Sequence, residues 1–267
     1  MPTARAVLYA ATAAVVVLAL RSVLLTPPPL AWSLGALAGY LALVLSGVFV
    51  LRWRVFVDAV VRGPKNARGV VLTFDDGPDP VWTPRVLDAL EATSSKATFF
   101  VIGKKAEAHA DLVREMIRRG HDVGLHSYEH DRLFALRNER RVRADLERGM
   151  TALAAITGRR PLLFRPPIGH TNPALARVAE SLDLVVVGWS LSGRDGTARA
   201  TPESVTARVR GGVRDGSIVL LHDASERGTH EPAGPRALPE ILRAIDAANL
   251  AVVPLSTWLS QADGSST

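Results

Sequence analysis

Two adjacent carboxylates, Asp75 and Asp76, directly follow the short apolar run Val70–Phe74 and precede a Gly-Pro pair. A β-branched apolar run of this length indicates a buried strand, and Gly-Pro indicates a turn. Because neighbouring strand residues point to opposite sides, the two carboxylates can take different roles where the strand ends. One can bind a cation while the other stays free as a general base. An ordinary Asp-rich turn explains the pair about as well, so other residues must decide.

The second pair of candidate residues is His126 and His130, which are four positions apart. On a helical turn both imidazoles would face the same side and could share one metal ion. Two histidines and one carboxylate form a common catalytic zinc set that leaves positions open for water and substrate. Surface histidines often have this spacing, so the pair gains weight only together with the aspartates.

These residues need a scaffold, and the sequence predicts one of alternating strands and helices. Such alternation is typical of parallel pairing with crossover helices, and seven strands suit a barrel or a doubly wound sheet. Predicted strands are Val70–Phe74, Ala97–Ile102, Asp122–Leu125, Leu162–Arg165, Leu184–Trp189, Ser217–Leu221 and Ala251–Leu255. Predicted helices are roughly 83–93, 104–119, 138–157, 173–181, 202–210 and 235–248, with caps at Thr83-Pro84, Asn172-Pro173 and Thr201-Pro202.

Polar residues follow most of the predicted strands. Arg165 and His170 follow the fourth strand, Trp189 and Asp195 the fifth, and His222 the sixth. A parallel sheet brings the carboxyl ends of its strands to one face. We therefore expect these side chains to converge with the aspartates and histidines.

Four motifs together resemble the polysaccharide deacetylases, which are the family 4 carbohydrate esterases with a NodB-like homology domain. They are Thr73-Phe74-Asp75-Asp76-Gly77-Pro78, His126-Ser127-x-x-His130, Arg165-Pro166-Pro167-x-Gly169 and Leu221-His222-Asp223. The resemblance covers roughly residues 68–260, with the motifs in family order. It implies an α/β fold, a distorted (β/α) barrel of about seven parallel strands, and metal-dependent hydrolysis of N- or O-acetyl groups on glycans.

The resemblance also implies a role for each motif residue. Asp76, His126 and His130 would bind one divalent metal, with zinc favoured and cobalt or manganese as alternatives. The catalytic residues would be Asp75 as general base, Arg165 holding it, His222 as general acid and Asp195 orienting His222. The substrate-binding residues would be Pro167, Ile168, Gly169, Trp189 and Leu221, with a backbone N–H near Ile168 binding the oxyanion.

Two positions depart from the family pattern. Ile168 stands where the family generally has an aromatic residue, and Gly196 follows Asp195 where a tryptophan is usual. One aromatic wall of the sugar site is therefore missing. Asp195 is equally well explained as part of the Gly-Arg-Asp-Gly turn.

The N-terminal part is predicted to be a membrane anchor. Two apolar segments, about 6–25 and 30–51, flank Thr26-Pro27-Pro28-Pro29, and the second carries no charge. A helix needs about 20 apolar residues to cross a bilayer. We predict a two-helix hairpin, although the first segment could be a signal peptide. The domains expected are an anchor (1–52), a basic linker (53–69), the deacetylase domain (70–260) and a disordered tail (261–267).

The net charge of +6 is concentrated in the N-terminal segment. Residues 1–69 hold seven of the 32 Lys and Arg residues and one of the 26 acidic residues, so the remainder is formally neutral. The pI of about 10.3 therefore does not indicate nucleic-acid binding. With no cysteine, disulfides and thiolate chemistry are excluded.

The side of the membrane is predicted from the flanking charges. A hairpin places Arg5 and the basic linker on the same side as the domain, and its loop carries no charge. Since cytoplasmic flanks carry the excess of Lys and Arg, this favours a cytoplasmic domain. The resemblance favours the outer face, where polymer deacetylases of the family generally act.

Three functions remain open from the sequence. The chain could deacetylate an amino-sugar polymer such as peptidoglycan or a chitin-like glycan. It could instead deacetylate or deformylate a lipid-linked sugar at the membrane. A glycan-binding module with a degenerate site is the third and least favoured, because base, metal ligands and acid candidate are all present. The expected partners are thus a glycan or lipid-linked sugar and membrane lipid; the oligomeric state is not predicted.

Overall fold

The centre of the fold is a parallel sheet of eight strands in the order β1-β6-β5-β4-β3-β2-β8-β7. The computed structural model describes residues 2–25, 27–197, 199–226 and 230–263; for residues 261–263 it describes only the backbone. The strands are β1 (Ala59–Val60), β2 (Val70–Asp75), β3 (Thr98–Val101), β4 (Asp122–Leu125), β5 (Leu163–Phe164), β6 (Val185–Val187), β7 (Leu191–Ser192) and β8 (Ser217–His222).

The sheet is open but strongly curled. β6 pairs with β1 and β5 near one end of the sheet, whereas β7 pairs with β8 at the other end. Only Gly188, Trp189 and Ser190 separate β6 from β7 in the chain. Because each residue spans at most about 3.6 Å, the two ends of the sheet must lie close together. The predicted distorted barrel is confirmed as a curled half-barrel of eight strands.

Crossover helices cover one face of the sheet, and their bounds follow the predicted ones closely. Asn172 caps α7 by accepting from the Leu175 N–H, and Thr201 forms a capping box with Ser204. The helices are α1 (Thr3–Leu24), α2 (Leu30–Phe49), α3 (Trp82–Glu91), α4 (Gly103–Ala108), α5 (Ala110–Arg118), α6 (Glu139–Thr157), α7 (Pro173–Ser181), α8 (Pro202–Gly212), α9 (Ala233–Ala247) and α10 (Ser256–Asp263).

Several local predictions were wrong. The predicted helix 104–119 breaks at His109, whose backbone leaves the helical region. The predicted strand Ala251–Leu255 forms only a single bridge, from Val252 to Val70, because Pro254 lacks an N–H for a ladder. Strands β1 and β7 were missed because two-residue strands are too short to show a pattern.

The cap predicted at Thr83 also needs correction. Thr83 does not cap α3; the Asp79 carboxylate accepts from the N–H groups of Val81 and Trp82 at the start of that helix. Thr83 lies inside that helix, where its hydroxyl donates to the buried carboxylate of Asp223. Helix α10 extends to Asp263, into the predicted tail, and residues 264–267 lie outside the described part.

Side chains along β2 alternate between the two faces of the sheet. The even-numbered residues of this strand, such as Leu72 and Phe74, pack into the main core under the helices. Val71 belongs to a smaller apolar cluster on the opposite face. Thr73 and Asp75 share that face because side chains alternate, so Asp75 stands at the carboxyl end above the smaller cluster.

Helices α1 and α2 form an N-terminal hairpin. Each is long and apolar enough to cross a membrane, and most of their side chains are exposed. The Thr12 and Tyr40 hydroxyls lie 3.1 Å apart across the pair. Near the start of α1, Arg5 donates to the Val55 carbonyl and pairs with Asp58 at 2.9 Å. The start of α1 and the segment that follows α2 are therefore held together beside the sheet.

Candidate active site

Asp76, His126 and His130 come together at the carboxyl ends of β2 and β4. One potential ligand atom from each lies within 4.8 Å of the others. Asp76 Oδ1 is 3.6 Å from His126 Nε2 and 3.3 Å from His130 Nε2. All three residues are buried. The spacing and donor types match a small cation site.

The two histidines do not share a helical turn, contrary to the prediction. His126 continues the ladder of β4 by donating its N–H to the Val101 carbonyl. Ser127 and His130 then adopt left-handed backbone conformations, with φ of 62° and 55°. The Ser127 hydroxyl oxygen accepts from the His130 N–H at 2.9 Å and holds this turn. A tight turn, not a helix, brings the two imidazoles to one side.

A hydrogen bond orients the His126 imidazole, and a carboxylate lies beside the second ring nitrogen of His130. His126 Nδ1 donates to the Arg165 carbonyl at 2.8 Å, which leaves the Nε2 lone pair directed at Asp76. His130 Nδ1 lies 3.4 Å from Glu226 Oε1, so Nε2 of this ring also faces Asp76. Partners of this kind fix the tautomer of a metal-binding histidine and increase its basicity. Glu226 was not predicted from the sequence, and its position four residues after His222 was the only available signal.

The protonation states suit cation binding. Burial lowers the pKa of His126 to about 3 and that of His130 to about 3, so both rings are neutral at pH 7. Burial also raises the pKa of Asp76 to about 7. Within the described residues Asp76 Oδ1 is buried and has no hydrogen-bond partner. A cation would satisfy this oxygen and compensate its charge, so the donor set fits a divalent metal.

Asp75 is held by a fully buried arginine. Arg165 Nη1 donates to Asp75 Oδ1 and to Thr73 Oγ1, both at 2.7 Å. The same guanidinium donates to the carbonyls of Val187 and Gly188. Asp75 Oδ2 is turned the other way and lies 3.8 Å from His126 Nε2. One carboxylate oxygen is thus fixed while the other faces the cation site.

His222 and Asp195 form a second pair at the cleft. His222 Nδ1 lies 2.9 Å from Asp195 Oδ1, and the His222 backbone N–H donates to Asp195 Oδ2 at 2.7 Å. Burial alone would lower the pKa of His222. The charge and hydrogen bond of Asp195, together with Asp76 and Asp75, outweigh it and raise this pKa to about 10. A turn residue alone would not bond in this way, so Asp195 has a specific contact with His222.

These groups surround one cleft of about 340 Å³. Of the predicted substrate-binding residues, Ile168, Gly169 and Trp189 line it. Leu221 does not, because its side chain alternates into the main core, and Leu220 lines the cleft instead. Pro167 is buried and lies outside the lining. Sequence reasoning missed four further lining residues: Arg194, Gly196, Thr197 and Glu226.

Comparison with known proteins identifies the family. A polysaccharide deacetylase family model matches residues 62–187. A peptidoglycan-N-acetylglucosamine deacetylase of Bacillus cereus is 36% identical over 182 residues, covering 67% of this chain and 84% of that protein. The chain belongs to the polysaccharide deacetylase family. The predicted resemblance is confirmed.

Solved structures of the family agree with the fold. The Bc1960 peptidoglycan N-acetylglucosamine deacetylase, solved with a benzamide ligand, superposes with a TM-score of 0.69 at 31% identity. The superposition covers 74% of this chain and 91% of the Bc1960 chain. A family 4 acetyl xylan esterase from Clostridium thermocellum, solved with a cobalt ion, gives 0.66 at 35% identity, covering 72% and 90%. The family-model match ends before Asp195 and His222, whose pairing is seen from the geometry.

Proposed function

We propose that this polysaccharide deacetylase removes acetyl groups from N-acetylated amino-sugar glycans, such as peptidoglycan or chitin-like chains, by metal-dependent amide hydrolysis. The observation that carries the proposal is the convergence of Asp75, the Asp76–His126–His130 set and His222 on one cleft. The names of the relatives support an acetylated glycan as substrate. An inactive binding module is disfavoured because each group needed for hydrolysis is present.

The metal would be held by Asp76, His126 and His130. Neutral imidazoles and one carboxylate suit zinc best, while cobalt and manganese also accept such ligands. A divalent cation here would polarise the acetyl carbonyl and lower the pKa of a water molecule. Cobalt in the related esterase is compatible with this set.

Asp75 would act as the general base. Its Oδ1 is occupied by Arg165, so Oδ2, which faces the cation site, takes the proton from the attacking water. The arginine pairs with the carboxylate charge and prevents the side chain from turning away. The water oxygen then forms a bond to the acetyl carbon.

His222 would return a proton to the leaving group. Because Nδ1 bonds to Asp195, the transferable proton lies on Nε2. As the amide C–N bond breaks, this proton passes to the sugar nitrogen, giving acetate and a free amine. The Ile168 N–H is the proposed donor to the oxyanion formed before that step.

The test is acetate release from chitooligosaccharides and peptidoglycan fragments by the purified full chain. Activity should disappear with a chelator, return with added zinc, and be absent in His126→Ala and His130→Ala along with bound metal. An acetylated xylan serves as a second substrate to separate N- from O-deacetylation. Undiminished acetate release after metal removal and in both variants would refute the proposal.

We also propose that α1 and α2 anchor the protein in the membrane with the domain on the cytoplasmic side, where the amino-sugar glycan it deacetylates would be a precursor and not the assembled polymer. Support comes from the contacts of Arg5 with the segment after α2, which put both helix ends at the domain. Arg5 and the basic residues of 52–68 lie on this side, and the hairpin loop carries no charge. Protease added to intact spheroplasts should spare the domain until lysis; digestion without lysis would contradict this orientation.

A further inference from the structure

The carboxyl end of α2 is bonded to the loop that forms one wall of the cleft. The Thr171 N–H donates to the Val48 carbonyl at 3.0 Å, and the Thr171 hydroxyl donates to the Gly47 carbonyl at 3.1 Å. The rings of His170 and Phe49 meet edge to face, with centroids 4.8 Å apart. Carbonyls in the last turn of a helix have no partner within it, and the cleft loop supplies two here. The site wall is thus fixed to the end of a candidate membrane helix.

Helix length sets the depth of this loop. α2 has 20 residues, which at 1.5 Å per residue is about 30 Å, the thickness of a bilayer hydrocarbon core. Arg52, Trp53 and Arg54 follow it and are exposed, a combination typical of the headgroup region. When α2 spans a bilayer, Thr171 therefore lies at headgroup depth. Two positions earlier in the chain, Gly169 lines the cleft.

An exposed apolar edge lies beside the same loop. Leu133 and Leu136 are 53% and 75% exposed at a single 3₁₀ turn, where residues three apart lie above one another. Phe134 between them is buried in the main core and fixes the turn. The Asn172 side chain donates to the Ala135 carbonyl at 2.6 Å, so this turn is linked to the residue after Thr171. We call Leu133 and Leu136 the leucine edge.

We propose that the cleft opens onto the bilayer that holds α1 and α2, with the leucine edge inserted into its surface. The substrate is then an N-acetylated sugar attached to a membrane lipid. The leucine edge is bonded through Asn172 to the loop held at the end of α2, which fits a lipid surface as the partner. Arg132, which is exposed beside this edge, fits anionic headgroups. This inference rests on the proposed hairpin and on the proposed deacetylase activity. A sugar on a lipid is delivered at headgroup depth, whereas a free polymer must enter between the loop and the membrane.

Because the sequence has no cysteine, the position of the leucine edge relative to the bilayer can be tested directly with single-cysteine labels. Single-cysteine variants Leu136→Cys, Leu162→Cys and Leu41→Cys of the full chain are spin-labelled and reconstituted into phosphatidylglycerol-containing vesicles. Leu162 is also exposed but precedes β5, at the opposite end of the sheet from the site. Leu41 lies in the middle of α2. Accessibility to oxygen and to a water-soluble nickel chelate is then measured by electron paramagnetic resonance.

The three labels separate the inference from what it rests on. We expect the labels at positions 41 and 136 to favour oxygen and the label at 162 to favour the chelate. If the label at 41 is exposed to lipid but the label at 136 is as accessible to water as the label at 162, the hairpin stands and the inference is overturned. The leucine edge would then contact a soluble partner or polymer. A water-exposed label at 41 would remove the hairpin, and the inference with it.

Activity provides an independent arm. The double variant Leu133→Ser/Leu136→Ser is compared with Leu162→Ser on vesicle-borne lipid-linked N-acetylglucosamine and on a soluble chitooligosaccharide. The double variant should lose at least about tenfold in kcat/KM on the lipid-linked substrate only. Equal losses on both substrates, or none, would overturn the substrate assignment. If the wild type releases no acetate from either substrate, the proposed activity fails while the label positions still report the docking.

Discussion

Replacing Asp195 by asparagine should change the pH dependence of catalysis more than its maximum. Asp195 accepts two hydrogen bonds, from the Nδ1–H and from the backbone N–H of His222. Asparagine is nearly the same size but carries no charge and only one acceptor oxygen. The variant therefore keeps the packing of this fully buried site and loses the charge that opposes the burial of His222.

The size of the effect follows from the protonation of His222. In the wild type its pKa is raised to about 10, so the imidazole is protonated throughout the neutral range. Without the charge and hydrogen bond of Asp195, only Asp76 and Asp75 oppose the effect of burial, and the pKa of His222 should fall to about its ordinary 6.5. At pH 8 only about 3% of the ring is then protonated, against about three quarters at pH 6. We expect a loss of about 30-fold at pH 8 and less than about twofold at pH 6 from this cause.

The assay is kcat/KM for acetate release from a soluble chitooligosaccharide between pH 5.5 and about 10. A bound cation lowers the pKa of His222 in both proteins, so the difference between them isolates the charge of Asp195. Metal content should be unchanged in Asp195→Asn, because Asp195 does not belong to the ligand set. An equal fractional loss at pH 6 and pH 8 would refute the reasoning, since it would leave orientation, not proton affinity, as the role of Asp195.

Four further substitutions, one of them with a matched control, separate the roles of the charged residues. Asp76→Asn should lose the metal, whereas Asp75→Asn should keep the metal and lose about 10²–10⁴-fold in turnover. Metal analysis and acetate release are measured for both variants. Loss of metal in both would show that the two carboxylates do not have separate roles. Glu226→Gln should weaken metal affinity about 10- to 100-fold in a chelator competition, because His130 loses its charged partner; unchanged affinity would limit Glu226 to lining the cleft. Arg165→Met should lower the free energy of unfolding by about 3–5 kcal/mol, since Asp75 stays buried without its partner. Arg177→Met, which breaks an exposed pair, should cost at most about 1 kcal/mol in the same urea titration.

The motifs predicted most of the fold because strand and helix periods are local properties. The runs Val70–Phe74, Asp122–Leu125 and Ser217–Leu221 could be placed from apolar character and turn residues alone. Edge strands could not, since the two-residue strand Ala59–Val60 is defined by pairing with β6 and has no pattern of its own. Pairing of this kind depends on the curl of the whole sheet.

Within the site, predictions failed where geometry depends on one residue of register or on a distant segment. Leu221 was chosen for the cleft, but alternation along β8 gives that place to Leu220. Glu226 reaches the cation site from a loop far from His130 in the chain, which spacing cannot show. The shape of the turn between His126 and His130 depends on left-handed residues that the histidine spacing does not specify.

The buried guanidinium of Arg165 connects the chemistry to the closure of the sheet. Two of its hydrogen bonds go to Asp75 and Thr73 on β2, and two go to the carbonyls of Val187 and Gly188, where the chain leaves β6 towards β7. A fully buried charge is costly unless its donors are satisfied, and here the planar, five-donor geometry of arginine meets acceptors on both sides. Lysine has three donors on one point charge and could not span them. The position of the proposed base is therefore tied to the segment that joins the two ends of the half-barrel.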